Sequence, residues 1–153
     1  MDRRLPRVVY LAFGEIGVNR RFTRFHRWLL RRTGGGRAID RVLGLDIILV
    51  TTKGRRTGEP RTVPLGAVRH GGDWLVIGSS AGQDRMPAWA LNLRSEPAVT
   101  VEWRGETRHF RAHEATGLEA ETLWPVVLRV YPGYADYQAR TDRAIPLVVL
   151  EPA

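Results

Sequence analysis

The sequence predicts a mainly β fold with flanking helices, an α+β arrangement built on a small antiparallel barrel. Three observations carry this. Short stretches rich in β-branched and aromatic residues recur with turn signals between them. A helical segment bracketed by two prolines, PAWALNLRSEP (87–97), interrupts them midway. A helical region and one last strand follow. Strands joined by hairpins, with helices set apart, favour a closed or half-closed barrel over alternating βαβ units.

The elements can be taken in chain order. RVVYLAFGEIGVN (7–19) is apolar but too short and interrupted to span a bilayer, and it lacks the parts of a secretory signal. NRRFTRFHRWLLRRTGGG (19–36) predicts a helix with Asn19 as N-cap and Gly34 as stop. Phe22, Phe25 and Leu29 form its apolar stripe, and Arg20, Arg21, Arg24, Arg27, Arg31 and Arg32 fill much of the remainder. Such a helix either lies on an anionic membrane or packs its stripe on its own domain. GGGR (34–37) reads as a flexible joint and AIDRVLG (38–44) as a short helix. Residues 1–37 therefore form a basic segment with its joint, and 38–153 the barrel domain.

LDIILVTT, TVPLGAVR, DWLVIGSS, AVTVEW and TRHFRAHEA read as successive strands. His70-Gly71-Gly72-Asp73 and Arg104-Gly105-Glu106 are the hairpin turns. Thr116 with Glu119 makes a capping-box pattern ahead of a helix over 117–131, which Pro125 is expected to kink or split. Pro132 opens a further short helix, and IPLVVLEP (145–152) is the final strand.

Composition excludes several chemistries. The 153 residues contain no cysteine, so thiolate nucleophiles, disulfides and cysteine-based metal sites are ruled out. His109 and His113 lie on one face of a strand with no supporting carboxylate pattern, and no metal site is expected. The net charge of +8 belongs wholly to residues 1–41, where eleven arginines face three carboxylates. The other 112 residues balance, so the body lacks the basic stripe of a nucleic-acid module, and no nucleic-acid partner is expected.

Against that neutral body, TTKGRRTGEPRTVPL (51–65) concentrates cations at a hairpin tip. It is not a Walker loop, since no Lys-Ser/Thr and no helix follow. Guanidiniums, a threonine hydroxyl and glycine-permitted backbone suit a phosphate or carboxylate, or else a solvated turn. In GSSAGQDRMPAWALNLRSEP (78–97), Ser79 and Ser80 end a strand, and Trp89 and Asn92 share a helix face, where Trp89 equally suits a core anchor. In VYPGYADYQARTDRAIP (130–146), Tyr131, Tyr134 and Tyr137 recur every three residues, as packing or as an aromatic pocket on one helical face.

Together these three stretches, with WPVVLRVYPGYADYQARTDRAIPLVV (124–149), resemble the deazaflavin-dependent nitroreductase family of coenzyme F-420-dependent quinone reductases. The likeness runs from about residue 46 to the end. It implies a split β-barrel related to flavin-mononucleotide-binding barrels. It implies that Arg55, Arg56, Thr57 and Arg61 hold the coenzyme's phosphate and oligoglutamate tail, with Thr62, Val63, Pro64, Leu65 and Gly66 beside the deazaflavin. Ile77, Gly78, Ser79 and Ser80, then Ala88, Trp89, Ala90, Leu91 and Asn92, match further coenzyme contacts. Tyr131, Tyr134 and Tyr137 match the tyrosines around the substrate pocket. Ser79 and Tyr134, the latter also beside the coenzyme, are the candidates to hydrogen-bond the acceptor oxygen.

The resemblance implies hydride transfer from reduced F-420 to a quinone, enone or nitro-type acceptor. Menaquinone is one such acceptor, in a cytoplasmic protein able to meet the inner face of the cell membrane through residues 19–32. The family often has Lys at Ser80 and aromatics at Gly66 and Ala90, so the acceptor pocket is expected to differ here. Alternatives are a non-catalytic barrel or one binding FMN, and a lipid- or nucleic-acid-binding module driven by the arginine-rich arm.

Overall fold

A computed structural model describes residues 44–153. The basic segment 1–37, with its expected helix and joint, and nearly all of the short helix expected over 38–44 lie outside the described residues. Six strands form a closed antiparallel barrel: β1 (Asp46–Lys53), β2 (Pro60–His70), β3 (Asp73–Ile77), β4 (Ala98–Trp103), β5 (Glu106–Glu114) and β6 (Leu147–Pro152). The order around the barrel is β1-β2-β3-β6-β5-β4. Helix α1 (Ala88–Ser95) lies between β3 and β4, and α2 (Gly117–Val130) and α3 (Gly133–Gln138) lie between β5 and β6.

The alternation of each strand sorts its side chains into two cores. Ile48, Val50, Ala67, Trp74, Val76, Val99, Val101, Phe110, Ala112, Val148 and Leu150 fill the barrel. Trp89, Ala90 and Leu93 of α1 join that core, at the end of the barrel where Asn92 of α1 meets Thr52. The outward residues Val68, Leu75, Ile77, Leu147 and Val149 pack instead under Leu123, Val127, Tyr131 and Tyr134 of α2 and α3. Near the opposite end Trp74 meets Trp103 edge to face at 5.3 Å, with the Arg69 guanidinium over both rings.

The hairpins form as their turn residues dictate. Arg104 and Gly105 both adopt positive φ (50° and 83°), which matches the twist of the flanking strands. The β2–β3 pairing is incomplete. It covers only Ala67–His70, so among the described strands residues 60–66 of β2 pair with β1 alone. Pro64, which has no N–H, sits in this one-sided stretch, where a missing ladder bond is tolerated. Residues 61–66 are all half-buried, unlike the fully buried centres of β3 and β6. The barrel is thus split beside β2.

Two helix expectations are corrected. Thr116 is the N-cap of α2 but makes no side-chain capping bond. Glu119 instead bonds His113 Nε2 on β5 at 2.8 Å, so the box loses its second member to a tertiary partner. Pro125 does not split α2, which runs continuously through it. Pro125 and Glu121 are exposed, so water can satisfy the carbonyl that proline leaves unpaired. Leu123 and Val127 anchor both halves on the buried face.

Candidate functional site

The tip between β1 and β2 is a closed, tightly bonded loop. Gly54 N–H donates to Glu59 O at 2.8 Å, and Gly54 O accepts from the amides of Thr57 and Gly58 at 3.2 and 2.7 Å. A Cβ at Gly54 would meet Glu59 O and Thr57 Oγ1 at 3.0 Å, so the turn requires glycine there. Thr57 Oγ1 accepts from Glu59 N–H (3.3 Å) and Arg61 Nη2 (3.3 Å), which leaves its own proton free to donate outward. Arg55 and Arg56 are exposed, and no carboxylate among the described residues pairs with them.

Asn92 orients this tip. Its Oδ1 accepts from Arg55 N–H at 3.1 Å and its Nδ2 donates to Thr52 Oγ1 at 3.0 Å. Asn92 and Thr52 are buried, 4% and 2% exposed, so the hairpin is fixed to α1 from below. Trp89, three residues earlier, turns into the barrel core, as does Ala90. Ala88 is exposed and Leu91 half-buried. A charge-assisted bridge from Arg94 to Glu114 (2.5 and 3.2 Å) ties α1 to β5 and holds the Arg94 guanidinium above its ordinary range.

The split in the barrel forms the rest of the site. Val63 and Leu65 face inward against the core, while Thr62, Pro64 and Gly66 occupy the other face of β2. Thr62 Oγ1 pairs with Thr51 Oγ1 at 2.8 Å. The Tyr134 hydroxyl lies over Gly66, 3.8 Å from where a Cβ would stand. A Cβ at position 66 would stand only 3.2 Å from Leu45 Cδ1, so a side chain there would require Leu45 to give way.

Ile77 turns into the outer core, and Gly78 packs so closely on Pro146 that a Cβ would lie 2.6 Å from its ring. Ser79 is buried and its side chain makes no capping bond in the following 3-10 turn, Ser80–Gly82. Ser80 and Ala81 hold left-handed conformations (φ 44° and 54°), a strained local geometry for non-glycine residues. Gly82, at φ +80°, lies against the Tyr137 backbone of α3. The loop and α3 are therefore packed together.

The three tyrosines converge, but not as a stripe on one helix. Tyr131 ends α2 with a non-helical backbone, and the Pro132–Gly133 turn redirects the chain before Tyr134 and Tyr137. Their rings still meet, with centroids 4.9–6.2 Å apart. Tyr131 and Tyr137 hydroxyls are 3.2 Å apart. The Tyr134 hydroxyl has no hydrogen-bond partner among the described residues. Burial raises the Tyr131 and Tyr134 phenols well above their ordinary range, so both stay protonated at neutral pH.

The sequence reading missed Arg143. Its Nη2 donates to the carbonyls of Gly78 (3.0 Å) and Ser79 (2.8 Å), and its Nε to that of Gln83 (2.9 Å). Burial lowers its pKa, against the opposing pull of Asp84. Acceptors that are backbone carbonyls have no side-chain signature, so no motif pointed to it. Among the described residues no group of three or more His, Cys, Asp or Glu side chains could hold a metal.

The closed barrel, split beside β2, thus brings together a cationic tip, a one-sided strand stretch and a buried tyrosine cluster. These residues would fit a flat group with an anionic tail: guanidiniums without a carboxylate partner among the described residues at one end, and glycine and proline backbone beneath a buried phenol at the other. Residues 22–152 match the family described as F-420H(2)-dependent quinone reductase. An F-420H(2)-dependent quinone reductase of Mycobacterium tuberculosis is 32% identical over 140 residues, 89% of this chain and 92% of that protein. A solved F-420-H2 dependent reductase superposes with a TM-score of 0.63 at 36% identity, covering 69% of this chain and 93% of its own. Another solved chain, described as a domain-swapped dimer, gives a TM-score of 0.65 at 34% identity over 84% and 98%. The chain belongs to the F-420H(2)-dependent quinone reductase family and is an oxidoreductase of that type. The family names F-420 as its coenzyme and gives no support to FMN.

Proposed function

We propose that the protein reduces a quinone-type acceptor with reduced F-420 held along the split of the barrel. Arg55, Arg56, Arg61 and Thr57 bind the phosphate and carboxylate tail. The observation that carries this is the cationic tip, without carboxylate partners among the described residues and locked in orientation by the buried Asn92. Guanidinium forks bind such oxyanions in pairs of charge-assisted hydrogen bonds. The β2 stretch from Thr62 to Gly66 offers the surface for the ring system, with Ser79 and Ser80 across the split.

When bound, the reduced coenzyme supplies a hydride. The protein's own task is to orient the acceptor and stabilise charge on its oxygen. The Tyr134 hydroxyl, buried and without a described partner, is the donor for that oxygen, and Ser79 is the second. A phenol raised above its ordinary range holds its proton tightly, so Tyr134 stabilises the oxyanion by hydrogen bonding, and solvent supplies the final proton. Tyr131 and Tyr137 close the pocket around the acceptor.

Steady-state kinetics on Tyr134→Phe and Ser79→Ala test this. Losing one oxyanion donor lowers kcat on the order of a hundredfold, with coenzyme affinity kept. Unchanged turnover in both variants, with coenzyme still bound, excludes the assignment. The donor persists through pH 10, because the folded phenol titrates above the ordinary value of about 10.

A further inference from the structure

We propose that Arg143 is a positioning residue of the reductase site, setting the Gly78–Gln83 loop and coupling it to the tyrosine helix. The loop carries Ser79 and Ser80, so this rests on the functional reading above. Its backbone is strained at Ser80 and Ala81, and strain of that kind persists only where surrounding contacts over-determine it. Within the loop, two bonds hold it: Gly82 N–H to Ser79 O (2.9 Å) and Gln83 N–H to Ser80 O (3.1 Å).

The Gly78 N–H to Pro146 O bond (2.9 Å) holds the start of the loop, and Arg143 adds a fork across its ends. One planar guanidinium takes carbonyls from both ends of the loop, Gly78 and Ser79 at the start and Gln83 at the close. A rigid fork of donors fixes the relative position of those ends, whereas a single ammonium on a flexible stem does not. Two residues before it, Thr141 Oγ1 donates to Asp84 Oδ1 at 2.7 Å, pinning the chain just beyond the loop.

The clamp is itself anchored to α3. Gln138, the last residue of that helix, donates from Nε2 to the carbonyls of Thr141 (3.3 Å) and Arg143 (2.9 Å). Its Oε1 accepts from Ile145 N–H at 3.0 Å. Tyr134 and Tyr137 ride on the same helix. The serine side and the tyrosine side of the site thus share one scaffold, with Arg143 as the joint. Arg143 is not assigned a contact with reacting atoms.

Full-length Arg143→Lys tests this, with Arg94→Lys as the control for loss of a surface fork. Four readouts are needed: cooperative unfolding, amide exchange over residues 78–84, the coenzyme dissociation constant, and kcat with KM. The expected Arg143→Lys protein unfolds cooperatively but exchanges faster across 78–84. Its kcat falls between tenfold and on the order of a hundredfold, as misplaced reacting groups do. Arg94→Lys leaves exchange and kcat unchanged. Unaltered exchange and kinetics in folded Arg143→Lys overturn the proposal. So does loss of cooperative unfolding, which marks a purely structural residue. Wild-type protein that does not bind the coenzyme defeats the functional reading, and the exchange arm still decides whether Arg143 holds the loop.

Discussion

Asn92 joins three parts of the molecule with one side chain: α1, the end of β1 and the cationic tip. Replacing it with alanine leaves the buried Thr52 hydroxyl only a long 3.5 Å bond to Arg61 O and removes the side-chain acceptor of the Arg55 amide. Leaving a buried polar group poorly paired costs roughly 1–3 kcal/mol. Asn92→Ala is therefore expected to lower the unfolding free energy by that amount in denaturant titration and to weaken coenzyme binding together with it. Wild-type stability in the variant contradicts the strut role. The sequence put Asn92 and Trp89 on one helix face, yet the two do different things. Trp89 enters the barrel and Asn92 reaches the hairpin, a distinction that depends on where the helix docks. Arg143 was invisible for a different reason, since its partners lie about sixty residues away and three of them are main-chain carbonyls.

At the level of elements, strand alternation and turn chemistry made the barrel legible. All six expected strands form, but β3 ends at Ile77, so Ser79 and Ser80 leave the strand for a 3-10 turn, and β6 starts at Leu147 rather than Ile145. The split was not legible, because its extent depends on where β3 ends, which no local pattern marks. The capping box failed because Glu119 found a stronger partner in His113. The tyrosine stripe failed as a helix face because Pro132 breaks the helix between its members, while tertiary packing still brings the rings together. Helix α1 buries Trp89, Ala90 and Leu93 in the barrel core, so it is a structural plug as well as a neighbour of the site. Trp89→Ala is expected to cost ~3–5 kcal/mol in chemical denaturation, the penalty of a large vacated core position. A change of less than about 1 kcal/mol contradicts the plug and returns Trp89 to the surface.

For the whole molecule, charge is divided from chemistry. The described barrel is close to neutral, and the excess positive charge lies in residues 1–41. No described helix is long and apolar enough to cross a membrane. We propose that the basic segment brings the barrel to an anionic bilayer where a menaquinone-type acceptor resides. Flotation with anionic and neutral liposomes checks this on full-length protein in which Arg20, Arg21, Arg24, Arg27, Arg31 and Arg32 are changed to glutamine. Wild type floats with anionic vesicles and loses that binding at high salt, and the variant stays unbound. Equal flotation of the two contradicts it.

The central claim is that the tip grips an anionic coenzyme tail while the split holds the ring. Fluorescence titration with F-420 and with its tail-less deazaflavin, in wild type and in Arg55→Ala/Arg56→Ala/Arg61→Ala, tests it most directly. The account predicts that wild type binds the tailed form more tightly by at least about tenfold, roughly 1.4 kcal/mol, with a clear salt dependence. It predicts that the triple variant loses both the difference and the salt dependence. Equal affinity of wild type for the two ligands, or an unchanged preference in the variant, would contradict it.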